Sequence, residues 1–371
     1  MGWYPPVPFA VDDTDQTHWL VSRSWPAGTA GDYVLELRTA DRPGVRAAHL
    51  RAGQFELLPV GRDRRLPALA HAIRRGEVVV HRATKRAVVR AGDRYLKIFR
   101  PNQSDEAAAR HTRMTALLGT EDFLTPALVF CMPGCLTLTG LPGRSLFDLG
   151  QDPQVSDAVF EQAWRQWSRG WIRQQSRARA AAHRATIEAL PGRPAAVELE
   201  NMQRIVQVWL VHARDVAQAR AQRQAVRAAA ADVAQELLGG APDPPVWSHG
   251  DLHDKQIFVQ APGAPLGLLD FDEAGLAEAA ADLANLAVHL ELRLGQKRLT
   301  PERYSTARGL VIATAEELRV SPARFDAYAD ATRLRLGCLY SFRPQWAALA
   351  EDFLSQAEDA QLSTSGWRAR A

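Results

Sequence analysis

Residues 247–275 read WSHGDLHDKQIFVQAPGAPLGLLDFDEAG. Two histidines and five acidic residues stand in these 29 positions, between apolar runs. QIFVQ (256–260) and LGLLDF (266–271) have the length and composition of strands, and APGAP (261–265) carries the Pro and Gly of a turn. The pattern predicts one β-hairpin. Paired strands lie about 4.8 Å apart, so the start of the first strand and the end of the second share an edge. Gln256 opens the first strand, Asp270 ends the second, and Asp251 lies in the loop just before them. Oxygens of Gln256 and Asp270 can then meet one hard cation. Mg²⁺ suits such a pair, because it takes few protein ligands and keeps waters and phosphate oxygens. Asp251 stands where a base would meet a substrate hydroxyl. This set of groups is what phosphoryl transfer requires.

Upstream, EVVVHRA (77–83), KRAVVRA (85–91) and RYLKIFR (94–100) read as an antiparallel meander, with Gly92-Asp93 as a tight turn. SDEAAARHTRMTALLG (104–119) reads as a helix capped by Ser104 and closed by Gly119. CLTLTG (135–140) is a further strand. Before residue 76, YVLELR (33–38) and QFELLPV (54–60) read as strands and DRRLPALAHAIRR (63–75) as a short helix. From about 153 the chain is helical apart from the hairpin. Met202, Ile205, Val206, Trp209, Ala213, Val216 and Ala217 keep the spacing of one buried helix face. Arg204, Arg214, Arg220, Arg223 and Arg227 read as its solvated side. Trp164, Trp167, Trp171 and Trp247 read as core.

HGDLHDKQ (249–256) and LLDFD (268–272) resemble the active-site signature of the aminoglycoside phosphotransferase and choline kinase superfamily, which is similar to the protein kinases. That signature is His-Gly-Asp, four residues, Asn, then an apolar strand ending in Asp-Phe or Asp-Trp. Asp251 falls on its catalytic Asp and Asp270 on its metal Asp. Gln256 replaces the Asn, as in the maltokinase-like branch, and His253 also matches that branch. The resemblance makes His249 a structural hydrogen-bonding residue and Asp272 an auxiliary to the metal or a helix cap. YLKIF (95–99) is similar to the strand whose Lys97 would contact the α and β phosphates. Glu106 is the helix glutamate expected to pair with that lysine, or to stabilise the helix N-terminus. TLTGLPGRSL (137–146) resembles the hinge that cradles adenine, which points to Thr139 and Leu141. HRATKR (81–86) has no glycine, so His81, Arg82, Lys85 and Arg86 would contact phosphates through side chains. DLANL (282–286) resembles the helix whose Asp282 braces the catalytic loop.

The resemblance implies an α+β, two-lobed protein-kinase-like fold. It divides into a β-rich N-terminal extension or cap (1–75), an N-lobe (76–140) and a mainly helical C-lobe (141–371). It implies ATP and Mg²⁺ as cofactors and a small-molecule hydroxyl as acceptor. A neutral or anionic sugar, or an aminosugar, ranks first. A polycationic aminoglycoside ranks second, since Glu278, Glu291, Glu316, Glu317, Glu351 and Asp352 could line an acidic pocket that Arg333, Arg335 and Arg343 would oppose. A nucleotide-binding protein without catalysis is the other class carried forward, and a protein-substrate kinase is weaker still.

Composition agrees with that reading. The chain has 371 residues, 46% of them hydrophobic, with 45 basic against 42 acidic residues. This near balance argues against a nucleic-acid partner. Three cysteines are too few for a disulfide framework and point to a reducing compartment. The N-terminus lacks the features of a signal peptide and no run is long enough to span a membrane. A cytoplasmic enzyme is expected.

Overall fold

The computed structural model describes residues 3–41, 43–118, 121–178 and 183–359. Gly119, the expected helix terminator, and the tail STSGWRARA (363–371) lie outside the described residues.

The chain begins with an antiparallel five-stranded meander: β1 (Ala10–Asp12), β2 (His18–Pro26), β3 (Tyr33–Arg38), β4 (Arg46–Arg51) and β5 (Gln54–Leu57). β3 spans the predicted run. It is central and apolar, with Tyr33, Leu35 and Leu37 buried. Sequence reading missed β2 and β4, where Arg, His and Ser interrupt the alternation. The helix expected over 63–75 shrinks to α1 (Leu69–Ala72). Pro67 has no N–H to give a helix, and the Asp63 carboxylate instead accepts from the Thr84 and Arg65 N–H groups and approaches the His81 ring at 3.2 Å.

A second antiparallel sheet holds β6 (Glu77–Arg82), β7 (Arg86–Ala91) and β8 (Arg94–Ile98). After α2 (Ser104–Leu118) and the short β9 (Phe123–Leu124), β10 (Leu128–Met132) and β11 (Cys135–Thr139) complete it, in the order β10-β11-β8-β7-β6. Leu66, Leu69, Ala87, Val89, Leu96, Ile98 and Cys135 form its own small core.

The rest is mainly helical. β12 (Arg144–Ser145) leads into α3 (Leu146–Gln151), α4 (Asp157–Ala178), α5 (Arg184–Glu188), α6 (Ala195–Ala213) and α7 (Arg220–Gly239). Then come β13 (Val246–Ser248), β14 (Ile257–Val259), β15 (Leu266–Leu268) and β16 (Gly275–Ala277). α8 (Ala279–Gly295), α9 (Pro301–Glu317), α10 (Pro322–Tyr340) and α11 (Ala347–Asp359) follow. The predicted hairpin is β14–β15, but it does not stand alone. β12 and β9 extend it to four strands, and β13 pairs with β16. These added strands are two or three residues long, too short for a periodic signal. Trp164, Trp167 and Trp171 on α4 stack in series and reach Trp247, with ring centroids 4.8–6.1 Å apart. α6 stops at Ala213, short of the predicted face. Arg223, expected on the solvated side, instead donates to the Ala213 and Val216 carbonyls at 2.6 and 2.8 Å and closes that helix end.

The N-terminal sheet touches both lobes. Its buried residues share one hydrophobic cluster with the helices, and Tyr33 packs against His212 (5.2 Å) and Phe342 (6.2 Å). Ser24 donates to the Phe342 carbonyl, and Gln345 Nε2 donates to the Ser22 carbonyl at 2.9 Å. On the other side, Val45 N–H donates to Val78 and His81 N–H to the Glu36 carboxylate, each at 2.9 Å. Tyr33→Ala should therefore cost about 3–5 kcal/mol and lower the denaturant midpoint of the whole transition. An unchanged main transition would mean that the sheet is an independent appendage.

Candidate active site

The loop between β13 and β14 is fixed from behind. Asp282, in the first turn of α8, accepts from the His249 N–H at 2.6 Å and the Gly250 N–H at 2.9 Å. Its burial raises the carboxyl above its ordinary range, against the pull of His249 and those N–H groups. Asn285, one turn on, donates to the Leu252 carbonyl at 2.9 Å. Gly250 has φ +82°, and a Cβ there would fall 1.9 Å from the Glu273 carbonyl oxygen, so only glycine lets the loop lie against the strand opposite. The fully buried His249 ring bonds the Leu269 carbonyl through Nε2 at 3.0 Å, tying the loop to the end of β15.

Asp254 and Arg293 form a buried fork, with Nε–Oδ2 at 3.0 Å and Nη2–Oδ1 at 3.1 Å. His253 lies 4.8 Å from His289, and burial lowers its proton affinity. Asp251 is different. It is half-buried and makes no side-chain hydrogen bond among the described residues.

Gln256 and Asp270 lie at one edge of the hairpin, because the Leu269 N–H donates to the Gln256 carbonyl at 3.2 Å. The Gln256 side-chain oxygen has only a long contact, 3.3 Å from the His253 N–H. Asp270 has φ +73°, a left-handed conformation that is rare outside glycine and clusters at functional positions. The turn it starts, Phe271–Glu273, presents Asp272 beside it.

Lys97 enters from the middle of β8, between Val88 on β7 and Leu136 on β11. Its ammonium donates to Asp270 at 2.5 Å and Asp272 at 2.6 Å. Burial pushes the Asp270 carboxyl up, but Lys97 and Arg86 outweigh it and hold the group well below the usual carboxylate range. Burial likewise disfavours the Lys97 ammonium, and the two aspartates outweigh it and raise its proton affinity.

The pairing of Lys97 with Glu106 needs correction. The Glu106 carboxylate is exposed and held by Arg110 one helical turn on, at 2.6 Å. Arg110 also donates to the Asp272 carbonyl, a link sequence reading did not foresee. Arg82 lies over the Trp25 ring, and His81 is buried beside Asp63. Of the basic residues around that turn, Arg86 is the one whose charge acts on Asp270. Thr139 ends β11, where its hydroxyl accepts from the Ala127 N–H at 2.9 Å. Leu141 packs over Gly267 in the segment leading to β12. Gly143 (φ +92°) follows, where a Cβ would fall 2.2 Å from the Val259 carbonyl oxygen.

Asp270, Asp272 and Gln256 are hard oxygen donors, the chemistry Mg²⁺ prefers. Among the described residues no group of three or more His, Cys, Asp or Glu side chains is arranged as a metal cage.

This lysine between a strand and two aspartates, above a braced His-Gly-Asp loop, defines a phosphotransferase fold of the kinase type. The chain matches the model of the phosphotransferase enzyme family (APH) over residues 77–320 and belongs to that family. No curated protein matches it. Among solved structures it is similar to a glucosamine kinase in complex with glucosamine, ADP and inorganic phosphate. Identity is 17%, coverage is 93% of this chain and 97% of the other, and the TM-score is 0.52. It is also similar to the aminoglycoside phosphotransferase APH(3'')-Id from Streptomyces rimosus ATCC10970. There identity is 20%, coverage is 74% and 96%, and the TM-score is 0.47. A choline/ethanolamine kinase family protein from Mesorhizobium loti has 16% identity, coverage of 81% and 92%, and a TM-score of 0.46. At these identities the likeness is one of fold. No helix among the described residues is long and apolar enough to cross a membrane.

The ion pair has a signed pH dependence. Its Asp270 half stabilises the protein above the unfolded carboxyl pKa of about 3.9 and is lost as pH falls through the lower folded value. Its Lys97 half is present below about 10.4 and is lost as pH rises through the raised folded value. Lys97→Met should therefore destabilise most near neutrality, where two carboxylates face each other without a cation. The gap to wild type should narrow below about pH 4 as Asp270 protonates. Thermal unfolding across that range checks it, and a constant gap would refute the pairing.

Proposed function

We propose that the protein is an ATP- and Mg²⁺-dependent kinase that phosphorylates a hydroxyl of a sugar or aminosugar. The observation that carries this is that Gln256 and Asp270 share one hairpin edge, just after the loop of Asp251, and that Lys97 donates to Asp270 from the other lobe at 2.5 Å. Residues 76–140 serve as the nucleotide lobe and 141–371 as the lobe of the catalytic loop, with 1–75 as a cap.

In this reading Asp251 accepts the proton of the acceptor hydroxyl while the new bond forms to the γ-phosphorus and the bond to the ADP oxygen breaks. Its freedom from hydrogen bonds leaves both oxygens for that task. Lys97 leaves its aspartates to hold nucleotide phosphates, and Arg86 adds charge beside them. Thr139 and Leu141 flank the adenine. Gln256 and Asp270, with Asp272 as auxiliary, hold Mg²⁺, which supplies charge neutralisation on the phosphates. Asp282 and His249 keep the loop in place. His253, beside Gln256, orients its amide.

The acceptor preference rests on charge. Two of the acids that could have welcomed a polycation are engaged elsewhere. Glu278 is buried against Arg324 with both contacts at 2.6 Å, and Glu291 is held by Arg333 at 2.7–2.8 Å. The ligand named in the glucosamine kinase structure supports a sugar-sized acceptor.

A screen of Mg·ATP consumption over sugars, aminosugars and aminoglycosides tests this. Asp251→Asn should cut turnover by roughly 10²–10⁴-fold with nucleotide affinity almost unchanged. A variant as fast as wild type would exclude Asp251 as the base. Nucleotide binding without turnover on any acceptor would favour a non-catalytic role.

A further inference from the structure

Two arginines lie over the Trp25 ring. The Arg82 guanidinium carbon is 5.2 Å from its ring centroid and that of Arg343 is 4.8 Å away. The three residues come from three parts of the fold: β2 of the N-terminal sheet, the end of β6, and the turn after α10. Lys255, next to Gln256 in the catalytic loop, stands over the Phe147 ring at 4.2 Å. Arg23, two residues before Trp25, adds its charge to both Lys255 and Arg343. Arg82, Arg343 and Lys255 thus come from β6, the turn after α10 and the loop that carries Asp251.

These cations lack partners. Arg82, Lys255 and Arg343 make no salt bridge or side-chain hydrogen bond among the described residues, and Arg343 Nη1 is buried without one. The nearby acids are engaged. Glu36 is fully buried and accepts from the His81 N–H, with Ser22 at 3.2 Å and Arg23 at 3.5 Å. Asp254 is held by Arg293, and Asp148 accepts from Ser145 at 2.6 Å. Solvent nevertheless reaches all three free cations: Lys255 is exposed, Arg82 and Arg343 half-buried. Burial first, and neighbouring arginines after it, bring Arg82 and Arg343 down to about 10. Two like charges are thus held over one indole, within reach of solvent. An anion there would relieve their repulsion and receive charge-assisted hydrogen bonds from planar guanidinium groups.

We propose that these cations form the outer part of the acceptor site and bind an anionic group of the acceptor, a carboxylate or a phosphate ester, between Arg82, Arg343 and Lys255. The proposal rests on the kinase reading and narrows its acceptor to an acidic sugar. It gives the N-terminal sheet a part in recognition, since Trp25 holds both guanidinium groups in place. It also excludes a polycation by direct repulsion.

Calorimetric titration of the full chain, saturated with Mg²⁺ and a non-hydrolysable ATP analogue, tests it. The ligands are a neutral hexose, its amino derivative, its uronic acid and its phosphate ester. The acidic members should bind at least about tenfold tighter than the neutral one, and the preference should shrink as salt rises. The uronic acid and phosphate arms tell which anion is preferred. Arg343→Gln should remove most of the preference, with Arg343→Lys keeping part of it, and Lys255→Gln should weaken it independently. Binding of the ATP analogue reports that each variant is folded. Acidic sugars that bind no better than neutral ones, or a preference that survives both Gln variants, would overturn the proposal. Failure of the wild type to bind the analogue, or to turn over ATP with any acceptor, would strike at the kinase reading instead.

Discussion

The two-pronged grip of Asp270 and Asp272 on Lys97 sets the constraint that the other parts obey. Lys97 is only 13% exposed, so its ammonium needs partners on the spot. A register slip of one residue in β8 would turn it to the opposite face of the sheet. β7 and β11 lock that register on both sides. The aspartates need equal control, and they have it from the left-handed Asp270 and the Arg110 bond to the Asp272 carbonyl. One contact therefore requires a correctly paired sheet, a correctly placed helix and a correctly ended hairpin.

Buried carboxylates do most of the holding around that centre, and each is tied to backbone as well as to charge. Asp282 takes two loop N–H groups, while Glu36 takes one from His81. Glu278 takes the Asp243 N–H at 2.9 Å together with Arg324 and Tyr328. Such groups fix loops that no regular ladder reaches. They are also removed from the pool of acids that a ligand could meet. In the loop between β13 and β14, Asp254 is consumed by Arg293, while Asp251 makes no side-chain hydrogen bond among the described residues.

The legible parts of the sequence were those with a local pattern or a signature. β3, β6 to β8, α2 and the hairpin announced themselves by alternation and turn residues. The two-lobed α+β architecture came from the resemblance of the HGDLHDKQ and LLDFD motifs to a known superfamily. What was hidden depends on distance in the chain. Glu106 seemed the natural partner of Lys97, yet its own helix supplies Arg110 at closer range. Arg333 and Arg335 looked like surface arginines, but Glu291 and Asn285, more than 40 positions away, accept from them in the fold. Trp25 gave no signal, because its arginine neighbours arrive from β6 and from beyond α10.

The N-terminal sheet links these themes. A cleft between two lobes joined only by a hinge opens freely. Here the sheet is bonded to β6 on one side, through Val78 and His81, and to the end of α10 on the other, through Phe342. Wide opening would have to break one of these attachments and expose Tyr33, which is 2% accessible. The hairpin end bearing Arg82 is thereby held near the C-terminal helices, whatever the nucleotide does. That attachment explains how Arg82 and Arg343, whose charges repel, both remain over one indole. The packing of the sheet, rather than any attraction between them, supplies the energy that keeps them together.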